Sequence, residues 1–440
     1  MEDAPVRGLG VVDASLIVVG SIVGAGIFLV SGMVAQQVRS PAAFLAIWLL
    51  GGGVALAGAL SNGELGGLFP RSGGEYVYLR EAYGPVAGFL SGWTSFWIVF
   101  PGSIAALAAG FGATLAPMLG LSSARAPTVI GLVAILALTA VNALGLRPGK
   151  WTQNTLSGAK LAAFAGLLAL GLLVHRGGAS GLSPFFAAGD GARGVATALI
   201  PVLFAYSGWN AATYVSGEMR DPTRGLGRAL ALGTALCVAL YVAVNAVYLL
   251  AMPLSELAKA HEPARAAAMM LGGDAAAALL SPLIAVCVLS SMQASVLVGP
   301  RIYRAMAIDG LFFAPLGRLN PRTRSPVVAL AAQAVVAIAE LVSGSFNQLL
   351  TFATFAIVVF STLTVAAVPL LRRRLPREAR AFPVPGYPWV PLLFVAVNVW
   401  VLWSVLASGA REALVGLAIV ATGVPAYAAF RARRPQETAR

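Results

Sequence analysis

The sequence predicts an all-α integral membrane protein with twelve membrane-spanning helices, the first and sixth of them discontinuous. Three observations carry that expectation. The 440 residues are 58% hydrophobic and 11% charged, against about 25% charged in soluble domains. Apolar runs long enough to cross a bilayer recur along the whole length. Two of those runs carry a glycine-containing break in their middle.

The spans read as 13–39, 43–69, 85–116, 126–146, 153–175, 193–217, 227–252, 278–307, 326–343, 347–371, 388–407 and 413–431. The first is interrupted at Gly24-Ala25-Gly26. A break at mid-depth frees backbone N–H and C=O groups where no water satisfies them, so it survives only buried in protein or lining a cavity. Two glycines flanking an alanine let the backbone leave the helix and present consecutive N–H groups. With the positive end of the following half-helix, these suit a carboxylate. Upstream carbonyls such as that of Ile22 suit an ammonium group, and the combination fits a zwitterion. Gly20-x-x-x-Gly24 and Gly88-x-x-x-Gly92 also have the small-residue spacing of tight helix crossings, which is a packing signal by itself.

Along the next spans Gly and Ala remain abundant and permit close helix approach. Glu64, at the inner end of the second span, is expected in a salt bridge or cap. The fifth span carries Lys160, about two turns past its polar start near Thr152, too deep to snorkel. Centring such a charge in a membrane costs about 2.5–3.5 kcal/mol, so Lys160 should face a polar interior, where it could exchange a proton. The sixth span is interrupted at Phe204-Ala205-Tyr206-Ser207-Gly208-Trp209-Asn210. Two broken helices in corresponding halves, about 180 residues apart, are the mark of a secondary transporter. Taken alone, the second segment also reads as interhelical hydrogen bonding with an interfacial Trp. Glu218 follows it at the inner end and is another candidate for a salt bridge.

Cys237 and Cys287 lie inside the seventh and eighth spans, so no disulfide framework is expected. Glu340, near the outer end of the ninth span, is expected to be solvated, and no acid is evident on the third. His175 and His261 fall outside the bundle, leaving no histidine relay. The segments 253–277, 308–325 and 372–387 are the longest pieces outside the membrane. The last is rich in Arg and Pro and reads as a stiff connector between a ten-helix core, 1–371, and a unit of two further helices and a basic tail, 388–440. The first span is too long for a signal-peptide core and is expected to be retained.

The net charge of +13 raises nucleic acid as a partner, but its placement argues otherwise. With the N-terminus inside, the inner segments collect most of the 30 Lys and Arg, including Arg71, Arg80, Arg147, Lys150, Arg220 and the run Arg372-Arg373-Arg374. The outer segments hold few, among them Arg39, Arg125 and Arg411. The positive-inside rule then sets both termini in the cytoplasm. The charge orients the chain in a lipid bilayer and implies no nucleic acid. Short loops, Arg/Ala/Gly richness and the absence of an Asn-x-Ser/Thr acceptor point to a bacterial inner membrane.

At these residues the chain resembles the amino acid–polyamine–organocation superfamily, nearest to the L-type amino-acid transporters and their bacterial relatives. Gly20-Ser21-Ile22-Val23-Gly24-Ala25-Gly26-Ile27-Phe28 resembles the family's first-helix signature. Glu64-Leu65-Gly66 with Arg71-Ser72-Gly73-Gly74-Glu75-Tyr76, Phe204 to Asn210 with Glu218, and Arg301 to Pro326 through Asp309-Gly310 resemble three further stretches, in order. The resemblance implies a LeuT-like fold with spans 1–5 and 6–10 as inverted repeats, about 13–175 and 193–371, and spans 11–12 peripheral.

It also implies roles. Ala25, Gly26 and Ile27 would give amides to a substrate carboxylate. Ile22, Phe204 and Ser207 would give carbonyls to its amino group, with Gly24 and Asn210 elsewhere in the pocket. Phe204 would be an aromatic lid. Lys160 matches a fifth-helix lysine that stands in for a sodium ion between the first and eighth helices, with Ser291 as its eighth-helix partner. Ala25 departs from the commoner serine, and Gln293 stands where many eukaryotic members have asparagine. The outer segment 117–127 lacks the cysteine that joins a heavy chain, so no disulfide-linked partner is implied.

The resulting expectation is a sodium-independent transporter of neutral L-amino acids working by alternating access, with exchange favoured. The alternatives are proton symport, carriage of cationic amino acids or polyamines, and a non-transporting amino-acid sensor. A membrane enzyme would need a nucleophile–base pair or metal ligands in the spans, and no His pair, Cys/His set or Asp pair appears. No cofactor and no metal are expected.

Overall fold

The computed structural model of the chain describes residues 6–24, 26–174, 192–260, 262–344, 346–407 and 411–432. Among them the regular structure is helical, apart from a single bridge between Leu9 and Met219. The first span is two helices, α1 (Val11–Ile22) and α2 (Gly26–Ala35). α3 (Pro41–Leu68) starts where Ser40 accepts the Ala43 amide at 3.2 Å and Pro41 occupies the first turn, both helix-start signals.

α4 (Glu75–Tyr83) turns at Gly84 into α5 (Pro85–Thr94), which continues through a π turn (Ser95–Val99) into α6 (Phe100–Met118). The π turn lies where Pro101, with no N–H, cannot donate to the preceding turn. α7 (Ala126–Ala143) and α8 (Leu146–Val174) follow. α8 begins earlier than the sequence indicated, so Lys160 lies at its middle.

The sixth span is α9 (Ala192–Ala205), a turn over 206–210, and a 3₁₀ helix (Ala211–Glu218). α10 (Pro222–Ala251) is capped by Asp221, whose carboxylate accepts the Arg224 amide at 3.2 Å. The segment 253–277, read as extramembrane, is largely helical: α11 (Leu254–Leu257) and α12 (Pro263–Ala278). It is docked against α2, with Leu257 and Ala267 buried and the Gln36 amide donating to the Ala258 carbonyl at 2.9 Å. α13 (Leu280–Ile308), α14 (Val327–Ser343), α15 (Phe346–Arg374), α16 (Trp389–Ala407) and α17 (Arg411–Ala432) complete the order.

Nine described helical segments are long and apolar enough to cross a membrane. They correspond to every predicted span except the two broken ones and α14, a 17-residue apolar helix. The core lies where α1 packs on α8, α10 and α13, and where α3 runs along α10. The connector 372–387 is not a free spacer. Phe382 packs onto Gly63 and Gly227, and the Val384 amide donates to Glu64 at 2.7 Å.

Candidate functional site: two facing helix breaks

α8 presents one stripe to the first span. Gln153, Ser157, Lys160 and Phe164 recur at helical spacing, and all four are buried. A side chain on Gly20 would meet the Gln153 amide nitrogen at 1.9 Å, so any larger residue there would have to push the Gln153 side chain aside. Ser157 donates to the Leu16 carbonyl at 3.0 Å, and Phe164 stacks on Phe28 at 5.5 Å. Between these contacts the Lys160 ammonium donates to the Gly20 carbonyl at 3.2 Å and to the Val23 carbonyl. Lys160 is fully buried and sits at the C-terminal end of α1, where freed carbonyls and the helix dipole favour a cation.

Ser291 approaches the same carbonyls from α13. Its Oγ is 2.8 Å from the Gly20 oxygen and 3.3 Å from that of Val23. Gly24 leaves room for it, since an added Cβ would lie 3.3 Å from that Oγ. The Ile22 carbonyl accepts from the Tyr241 hydroxyl of α10 at 2.9 Å and from the Gly24 amide at 2.9 Å. Ala25 lies outside the described residues. The first amides of α2, those of Gly26 and Ile27, find no acceptor among the described residues. The half-buried Gly26 faces the end of α9: its Cβ would lie 3.4 Å from the Ala205 Cα.

The second break is built differently. Gly208 adopts φ +100° and lies against Ser21, whose Cβ would be 2.9 Å from a Cβ placed there. Left-handed backbone and close approach both demand glycine. The Phe204 carbonyl accepts the Ser207 amide at 3.0 Å, and the Ala205 carbonyl lies 3.3 Å from the Tyr241 hydroxyl. Tyr241 therefore touches both breaks. Phe204 is 43% exposed although it belongs to the middle of an apolar run, and Ser207 is half-buried.

Asn210 closes this turn toward another partner. Its amide nitrogen donates to Glu75 at 2.9 Å and lies 3.0 Å from the Tyr214 hydroxyl, while Ser361 of α15 donates to the same Glu75 oxygen at 3.0 Å. No acid lies on the third span itself, but one is buried just before it. Glu75 begins α4, ahead of the apolar run, and is buried. The expectation of a solvated Glu340 fails: it is 7% exposed and packed toward Gly102 of α6, with one carboxylate oxygen unpartnered.

The end of the bundle that carries the N-terminus is bound by ion pairs. Arg301 holds Glu218 through two nitrogens, at 2.9 and 3.1 Å, with both side chains nearly buried. Arg372 holds the fully buried Glu64, Lys150 pairs with Asp13 at 3.2 Å, and Arg80 pairs with Asp309. The chain's start is stitched on by the Gly8 and Leu9 amides, which donate to the Glu218 carbonyl at 2.9 and 3.0 Å.

Of the residues expected at the site, Gly24, Gly26, Ile27, Ile22, Phe204, Ser207, Lys160 and Ser291 gather around the two breaks, and Asn210 turns to Glu75. Sequence reasoning missed Tyr241, Gln153 and Ser361. A hydroxyl in the middle of an apolar span was the available signal for Tyr241 and Ser361, whereas Gln153 stands at the start of its predicted span. Among the described residues no cluster of His, Cys, Asp and Glu could hold a metal ion. His175 and His261 lie outside the described residues.

The sequence profile described as amino acid permease matches residues 9–424. The serine/threonine exchanger SteT of Bacillus subtilis is 32% identical over 97% of this chain and 98% of its own length. The b(0,+)-type amino acid transporter 1 of Rattus norvegicus is 29% identical, covering 96% of this chain and 88% of its own. The human large neutral amino acids transporter small subunit 2 is 30% identical, covering 96% and 80%.

Proposed function

The chain belongs to the amino acid permease family, and from that premise we propose a sodium-independent transporter of neutral L-amino acids that works by exchange. The family and the relatives are amino-acid transporters, which supports amino-acid transport across a membrane without enzymatic chemistry. The observation that carries sodium independence is the fully buried Lys160 on the Gly20 and Val23 carbonyls. A fixed cation occupies the acceptors that a sodium ion would need.

In this reading the amides of Ala25, Gly26 and Ile27, at the positive start of α2, take the substrate carboxylate. The carbonyls of Ile22, Phe204 and Ser207 take its ammonium group, that of Ile22 by releasing the Tyr241 hydroxyl or the Gly24 amide that it accepts in this structure. Phe204, exposed at the break, closes over the bound molecule. Glu75 is already engaged by Asn210 and Ser361, which disfavours a cationic side chain as its partner. The names of the relatives, a serine/threonine exchanger and a large neutral amino acid transporter, agree with a neutral substrate.

The same reading takes the two breaks as equivalent points of inverted repeats, 13–175 and 193–371, with 388–440 peripheral. Both termini lie in the cytoplasm of a bacterial inner membrane. No disulfide-linked heavy chain is needed, since the two cysteines, Cys237 and Cys287, are both buried.

Counterflow in proteoliposomes tests the proposal. Uptake of labelled serine, threonine or leucine only into vesicles preloaded with unlabelled amino acid, unchanged when sodium is replaced by choline, is the expected result. Accumulation in empty vesicles under a pH gradient would replace exchange by proton symport. Uptake confined to arginine or polyamines would overturn the neutral assignment.

A further inference from the structure

A cavity of about 160 Å³ opens at the N-terminal end of the bundle, and its charge is out of balance. Arg7, Arg147, Lys150 and Arg220 line it, from three separate places: the segment before α1, the first turns of α8, and the residue pair after the 3₁₀ helix. The Lys150 ammonium is already taken by Asp13, whose carboxylate also accepts from Asn154 and from the Gly10 amide. Among the described residues, no carboxylate pairs with Arg7, Arg147 or Arg220.

The neighbouring cavity, about 260 Å³ and sharing Arg7, is the contrast. There Arg71 has Glu81, Arg301 has Glu218, and Asp309 lies in the wall. A second anomaly points the same way. The first turn of α8 contains no acid, while Arg147 lies in it and Lys150 one turn on. Cations at the positive end of a helix are unfavourable, whereas an anion there is stabilised by the free amides and the dipole. The three guanidiniums are exposed, so water and salt screen part of their mutual repulsion, but an anion between them removes the rest, and planar guanidinium forks match phosphate oxygens.

We propose that the cavity bounded by Arg7, Arg147, Lys150 and Arg220 binds a phosphate-type oxyanion, supplied free or as a lipid headgroup. Bound there, it ties the start of the chain and the end of the 3₁₀ helix to α8. It thereby strengthens closure of the end already held by Glu218 and Arg301. The inference is independent of what the two helix breaks carry.

The test is thermal unfolding of the purified full chain with inorganic phosphate, against chloride at matched ionic strength. The measurement is then repeated in phosphatidylcholine vesicles with and without phosphatidylglycerol. The Arg147→Gln/Arg220→Gln variant is compared with Arg373→Gln/Arg377→Gln, which removes the same charge from exposed positions outside the cavity. Protection should weaken roughly tenfold in half-saturating anion for each guanidinium removed from the cavity, and stay unchanged in the comparison variant. Protection by phosphate in solution identifies a free anion, and protection by phosphatidylglycerol alone identifies a headgroup. Equal losses in both variants would reduce the cavity to general surface charge, and no protection from either source would overturn the proposal. A third variant, Glu2→Gln/Asp3→Asn, removes the carboxylates nearest in sequence to Arg7. If it is destabilised as much as the arginine variant and phosphate adds nothing, the chain neutralises the cavity itself and the proposal falls.

Discussion

The break after Ile22 and the break after Ala205 lie against each other, and the chain satisfies their backbone in opposite ways. At the first, side chains from three other helices reach in: Lys160 from α8, Ser291 from α13 and Tyr241 from α10 cover the carbonyls of Gly20, Val23 and Ile22. At the second, the backbone mostly answers itself. Ser207 donates to Phe204, Ala211 donates to Gly208 at 3.1 Å, and the left-handed Gly208 makes the turn possible. The first break is therefore held electrostatically and from a distance, and the second sterically and locally. In the proposed reading, a substrate that joins them meets the Gly26 and Ile27 amides on the α2 side and a half-buried hydroxyl residue, Ser207, on the other. A motion that separates α1 from α8 must release a buried cation, whereas a motion of the 3₁₀ half need only repack Gly208 on Ser21.

The contrast breaks most completely at Gly26, where the two sides meet. Gly26→Leu places three further carbons beyond a Cβ that already lies 3.4 Å from the Ala205 Cα. Counterflow should be abolished, and equilibrium binding of labelled substrate to the purified protein should be lost with it. Retained binding would remove the carboxylate from the start of α2. Next is Lys160→Met, which keeps an unbranched side chain of similar volume and deletes the charge. Two charge-assisted hydrogen bonds at about 1.5–3 kcal/mol each are lost, and part is recovered because Ser291 remains. Exchange should fall about a hundredfold, the equivalent of about 2.7 kcal/mol, in initial-rate measurements at saturating substrate. An unchanged rate would make Lys160 a brace rather than a working part.

The legibility of the fold follows the same division. Spans and breaks were readable because apolar length and a glycine pair are local signals, and helix starts at Pro41 and Pro222 obey local capping chemistry. Lys160 was readable because a mid-depth charge has few explanations. Glu75 was not, because it precedes the apolar run and is buried by Asn210 and Ser361, which are 135 and 286 residues away. Glu340 was read as solvated from its place near a span end, and its burial depends on the close approach of α6 at Gly102. The local mark of Tyr241 is a hydroxyl in the middle of an apolar span, which does not say what it meets. Its role exists only because the two breaks come together beneath it. Phe382 is similar: a connector rich in Arg and Pro reads as a spacer until Gly63 and Gly227 offer it a slot.

A smaller effect is expected from the local break. Gly208→Ala retains every polar contact and imposes a side chain on φ +100° at 2.9 Å from the Ser21 Cβ. Left-handed backbone in a non-glycine residue costs about 1–3 kcal/mol, with the contact added. The variant should unfold at lower temperature than the wild type and exchange more slowly in proportion to the folded fraction. A wild-type melting curve would show that the turn is not held sterically.

The smallest expected effect sharpens the comparison most. Ser291→Ala removes a neutral hydroxyl from the Gly20 carbonyl while Lys160 keeps its hold on both acceptors. The loss is that of one neutral hydrogen bond, about 1 kcal/mol, or roughly fivefold in exchange rate. Combined with Lys160→Met, the same substitution should be worth much more, because the Gly20 and Val23 carbonyls then lose both donors in a buried site. A double-mutant cycle measured in counterflow reads the difference directly. A coupling near zero would mean that the two side chains serve separate acceptors. A large coupling would mean that they hold the end of α1 as one unit, with the cation from α8 and the hydroxyl from α13 released together whenever that half-helix moves.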